Sequence, residues 1–140
     1  MPVKLKLGEN HRRVVSVLLR GLERACDEID AALHDSDSPF RRVNDDLTAA
    51  QRQTLQKMTE KVRAELRRIS SEVELDVSVH SRRRRIRALL STSIVNLEES
   101  TPDKLRGYGE MDDAAKIRLQ TEFERLLDLL NAIESALDQV

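Results

Sequence analysis

Four stretches of the chain repeat apolar residues at steps of three and four, with short polar or Gly/Pro-containing breaks between them. The first stripe is Val15, Leu18, Leu19, Leu22, Cys26, Ile29 and Leu33; the second is Leu55, Met58, Val62, Leu66, Ile69 and Val73. The third is Ile86, Leu89, Leu90, Ser93 and Leu97, and the fourth is Leu119, Phe123, Leu126, Leu130, Ile133 and Leu137. Each spacing collects its residues on one side of a helix. The sequence therefore predicts an all-α chain, with helices over about 9–34, 48–71, 81–100 and 112–138. Short connections favour antiparallel neighbours, so the expected architecture is a single domain, 1–140, folded as an up-down-up-down four-helix bundle. With only Tyr108 and two phenylalanines as aromatics, aliphatic side chains must supply the packing. Leu22→Asp and Leu126→Asp are accordingly expected to unfold the chain.

Punctuation supports these boundaries. Thr48-Ala-Ala-Gln51 has the spacing of a capping box at the start of the second helix. Gly8 and Asn10 precede or open the first, and Pro39 within Asp35-Ser-Asp-Ser-Pro-Phe40 ends it. Ser78 or Ser81 starts the third. Thr101-Pro102 reads as a cap followed by proline at a first helical position, opening a short turn to Arg106. Gly107-Tyr108-Gly109 then breaks the chain before Asp112 caps the fourth helix.

Two segments depart from the helical period. Residues 3–7 and 73–79 alternate apolar and charged side chains with period two, Lys4 and Lys6 in the first and Glu74 and Asp76 in the second. Two readings are open for them: they pair at one bundle end as a small two-stranded β ribbon, with lysines facing acids, or residues 73–79 are a frayed continuation of helix two, an isolated two-stranded ribbon being marginal.

Composition excludes several classes. Apolar residues at 39% and charged residues at 35% are too apolar for disorder and too polar for a membrane protein. No apolar run approaches the roughly 20 residues of a membrane span, and the N-terminus lacks the apolar centre of a secretory signal. A soluble, cytoplasmic protein with no membrane association is expected. Cys26, the one cysteine, falls on the first stripe and reads as a buried thiol.

The net charge of −1 hides an uneven distribution. Residues 78–106 hold seven Lys/Arg against three Asp/Glu, whereas residues 107–140 hold three against eight. The strongest candidate surface is the run Arg82, Arg83, Arg84, Arg85 and Arg87 at the start of helix three. Positive charge is unfavourable at a helix N-terminus, and no aromatics accompany the run to stack on bases. Glu72, Glu74, Asp76, Glu134 and Asp138 are expected near it, compensating much of its charge. The second candidate is the loop carrying Arg106 and Tyr108, residue types common at binding hot spots; packing of Tyr108 into the bundle end is the competing expectation.

Nothing in the sequence resembles an enzyme's machinery. His11, His34 and His80 form no metal-ligand spacing, no nucleophile elbow surrounds any serine, and no phosphate-binding loop is present. No metal, cofactor or catalytic residue is expected. The reading is a non-catalytic protein-interaction or scaffold module that self-associates as a homodimer or higher homo-oligomer. The alternative is a nucleic-acid-associated protein that uses the arginine run, which would bind with a steep salt dependence.

Overall fold

A computed structural model of the chain describes residues 3–139. It is all-α: α1 spans Glu9–Leu33, α2 Ala49–Glu72, α3 Arg82–Glu99 and α4 Asp113–Leu137, with a 3-10 helix at Pro102–Tyr108. The chain divides into two compact units, one ending at Ser78 and the other beginning at Val79.

The first unit is an antiparallel helical hairpin. Its cross-contacts descend α2 as they climb α1. Arg12 pairs with Asp76 just beyond α2, Cys26 Sγ lies 4.0 Å from the Thr59 carbonyl oxygen, and the Arg52 guanidinium donates to the Leu33 carbonyl. Along α1 the residues facing α2 are Arg12, Ser16, Cys26, Asp30 and Leu33. These fall on a four-three repeat, the geometry of a coiled-coil seam. The most buried of them is Ser16, 2% exposed. Its hydroxyl accepts from the Asp76 backbone N–H at 2.8 Å, which satisfies two polar groups that would otherwise be desolvated unpaired.

This seam does not coincide with the apolar stripe. Cys26 and Leu33 are buried, but Leu18, Leu22 and Ile29 of α1 and Met58 and Val62 of α2 remain exposed. Ser16, Cys26 and Thr59 take positions on the line of contact alongside Leu33, and Leu18, Leu22, Ile29, Met58 and Val62 flank it.

At the base of the hairpin the alternating segments meet at one point. Leu5 and Val73 form an isolated parallel bridge, with Leu5 N–H donating to Glu72 O and Glu74 N–H to Leu5 O, both at 2.8 Å. Among the described residues the pairing goes no further. Asp76 turns to Arg12 and Ser16 instead of to a lysine, in keeping with the marginal stability of two-stranded ribbons.

The capping box of α2 is complete. Gln51 N–H donates to Thr48 Oγ1 at 3.0 Å, and Thr48 N–H to Gln51 Oε1 at 2.9 Å. Thr48→Ala is expected to cost about 1 kcal/mol, seen as a lower urea midpoint with unchanged slope; an unchanged midpoint would show that the exposed cap contributes nothing.

The second unit joins α3, the 3-10 helix and α4. Ser81 caps α3 by accepting from Arg84 N–H at 3.2 Å. Leu90 is buried in the α3–α4 seam, and Arg87 at the start of α3 meets Asp138 at the end of α4, so these helices are antiparallel. Pro102 opens the 3-10 helix as expected, but the helix continues through Gly107 to Tyr108. Gly109 ends it with φ 120°, a conformation L side chains rarely adopt. Asp112 occupies the N-cap position of α4 without accepting a hydrogen bond through its side chain.

Candidate functional site

Each hairpin has two unlike sides. In the first unit, Arg63 steps off the α2 seam on one flank and reaches Asp27 at 3.0 Å and Asp30 at 2.6 Å on α1. Hydrogen bonds to Asp27 and then to Asp30 raise the Arg63 guanidinium above its ordinary pKa. That flank is polar and ion-paired. Met58 and Val62 leave the seam on the other flank, where α1 carries Val15 and Ile29 three residues beyond Arg12 and Cys26, with Leu22 between them on the same side. Leu18 extends the same side. One side of this hairpin is therefore apolar and largely exposed, with no carboxylate or guanidinium from α1 within the row Val15, Leu18, Leu22, Ala25, Ile29.

The second unit repeats the arrangement. Arg87 and Asp138 mark its polar flank. Leu89 of α3 and Leu126, Leu129 and Ile133 of α4 lie on the opposite one, all exposed. On each hairpin the exposed aliphatics thus recur along one side, unlike the scattered single exposures normal on a protein surface.

The arginine run lies on the first turns of α3, and Arg82, Arg83, Arg84 and Arg85 are exposed. Among the described residues of their unit none of these four meets a carboxylate; the ion pair of this region belongs to Arg87. Of the three acids expected to compensate the run from the end of helix two, Glu72 pairs with Arg68 and Asp76 with Arg12 in their own unit. At successive 100° steps around the helix, four consecutive arginines ring its end instead of lining one side.

Tyr108 projects from the end of the 3-10 helix and is 91% exposed, so it does not plug the unit. Arg106 Nε donates back to the Asp103 carbonyl at 2.9 Å. Beside them Pro102, Leu105, Gly109, Glu110 and Met111 line part of an open depression of about 510 Å³, closed on the α4 side by Asp113 and Lys116. The run and the Tyr108 loop both belong to the second unit.

Two features escape a reading by helical period. Lys57, Lys61 and Arg67 edge a shallow groove along α2; their spacing of roughly a turn or more is a recognisable signal in retrospect. The other is Phe40, fully exposed at 100%. It tips the connection between α1 and α2, inside a turn closed by Ser38 N–H to Arg41 O at 2.9 Å and Arg41 N–H to Ser38 O at 3.2 Å. Arg41 pairs with Asp35 at 2.9 Å, Arg42 Nη1 donates to Ser38 O at 2.9 Å, and Val43 N–H donates to Asp37 Oδ1 at 2.8 Å. The loop is thus internally braced while its aromatic side chain touches nothing. Turn residues mask it in the sequence, where Phe40 reads only as the end of a helix-breaking cluster.

Among the described residues no three His, Cys, Asp or Glu side chains converge as metal ligands, and no helix is long and apolar enough to cross a membrane. Compared with known proteins, the chain matches no family model, no curated protein and no solved structure.

Proposed function

We propose that the chain is a non-catalytic interaction module that self-associates through the apolar sides of its helical hairpins. The observation that carries this reading is the division of the α1–α2 hairpin into an ion-paired flank and an exposed aliphatic one. A two-helix hairpin has a single seam and leaves one stripe of each amphipathic helix in water. Covering Leu18, Leu22, Ile29, Met58 and Val62 with a like face removes that apolar surface, at about 25 cal/mol per Å² buried. Two such faces in contact make four-helix packing, the antiparallel arrangement favoured by the stripes, with the second hairpin contributed by another copy. Self-association occupies the hairpin faces, which leaves the exposed Arg82–Arg85 run and Tyr108 to meet a further protein partner carrying acidic side chains.

Sedimentation equilibrium tests the reading directly. A mass of at least twice the 16.0 kDa chain is expected at micromolar concentration. A single-chain mass across the whole accessible concentration range would refute it.

A further inference from the structure

The α1–α2 connection carries both halves of an apolar contact. Phe40 projects from its braced turn with no neighbour. A few residues later, Leu47, Ala50, Gln51, Thr54 and Leu55 line an open, mainly aliphatic depression of about 370 Å³ at the start of α2. The depression is roomy enough for a phenyl ring, and Leu47 at its edge is exposed. Phe40 does not fill the depression of its own chain, since its side chain is wholly in solvent.

Charge follows the same division. Arg41 and Arg42 follow Phe40, while Asp45 and Asp46 precede Leu47. Arg41 is taken by Asp35, and Asp45 by Arg52 at 3.1 Å. Arg42 meets only the Ser38 carbonyl, and the Asp46 carboxylate has no cation among the described residues. One cation beside the projecting ring and one anion beside the depression are therefore left over.

We infer that Phe40 of each copy inserts into the Leu47–Leu55 depression of a second copy, with Arg42 of one meeting Asp46 of the other. An isologous pair makes this contact twice, with plug and socket both drawn from the α1–α2 connection and the first turns of α2. It brings the loop ends of two hairpins together, and in the arrangement inferred here the hairpins point the same way and lay their apolar flanks side by side. Phe40 and its socket are too small to hold a dimer alone, since stable interfaces bury roughly 1,200–2,000 Å². The aliphatic flanks supply area, and the aromatic anchor supplies register. A braced turn suits that role because little freedom is lost on docking.

This inference rests on self-association through the hairpins, and the test separates the two. Dissociation constants are measured by sedimentation for the wild type, Phe40→Ala, Arg42→Asp, Asp46→Arg and the Arg42→Asp/Asp46→Arg double variant, with helicity checked by circular dichroism. Phe40→Ala is expected to weaken the dimer about 30-fold, as loss of a hot-spot anchor does, with helicity unchanged because the side chain is exposed. Each single charge reversal should weaken it, and the double variant should recover most of the loss, since both copies then carry the exchanged pair. A wild-type dimer indifferent to Phe40→Ala, or a double variant no better than the worse single one, overturns this contact while leaving self-association standing. A monomeric wild type overturns both.

Discussion

Leu18→Glu/Leu22→Glu is expected to leave the chain helical and make it monomeric. Both leucines lie on α1, off the line of contact with α2, and both are exposed in the hairpin, so the unfolding that the apolar stripes predict for Leu22→Asp, and for Leu126→Asp at another exposed site, does not follow. The seam itself uses Ser16, Cys26, Asp30 and Leu33, which the double substitution does not touch. Burying each leucine against another copy contributes about 1.5–3 kcal/mol, and a carboxylate in its place must also be desolvated. Because a two-fold interface contains each site twice, the dimer should weaken by far more than about 100-fold, which corresponds to about 2.7 kcal/mol. Circular dichroism and sedimentation velocity on one sample read both halves of the expectation. A variant that unfolds would return these residues to the core, and one that still dimerises would move the interface elsewhere.

The opposite behaviour is expected of two adjacent leucines in α3. Leu90 is 7% exposed in the seam with α4, whereas Leu89 beside it is 64% exposed. Leu90→Ala should cost about 2–5 kcal/mol through lost burial and the cavity left behind. That is a large share of the roughly 5–15 kcal/mol by which domains are stable. Leu89→Ala, measured at dilution sufficient to keep the chain monomeric, should stay within about 0.5 kcal/mol of wild type. Urea unfolding of the two variants is the measurement. Equal losses at both positions would mean that α3 is enclosed on more than one side.

These two pairs also show where the sequence is readable. The existence and ends of the helices follow from apolar period and caps, and Thr48 with Gln51 forms the capping box their spacing announces. Which edge of a wide apolar stripe becomes the seam does not follow, because hydropathy ranks Leu22 far above Ser16. The structure buries Ser16 more completely, since a hydroxyl that accepts from Asp76 N–H loses little on leaving water. That donor is sixty residues away in sequence, beyond the reach of local pattern. The same holds for Arg63, whose two carboxylate partners lie on another helix and decide which flank of the hairpin is polar. Alternation at residues 3–7 and 73–79 located a meeting point but not its extent, since competing partners for Asp76 end the pairing early. For the candidate surfaces, charge and residue type marked Arg82–Arg85 and Tyr108. Exposure alone marks Phe40, because its turn is built from the residues that ordinarily signal a plain connection.

Cys26 gives this hairpin a built-in clock. Its thiol is the chain's single one, and it is buried with Sγ 4.0 Å from the Thr59 carbonyl oxygen. A thiol reagent reaches the sulfur only when the two helices part, so at reagent concentrations where reaction outpaces reclosing the rate of modification counts those openings. The breathing of one half of the molecule can thus be timed without installing a probe, and without any signal from the other half.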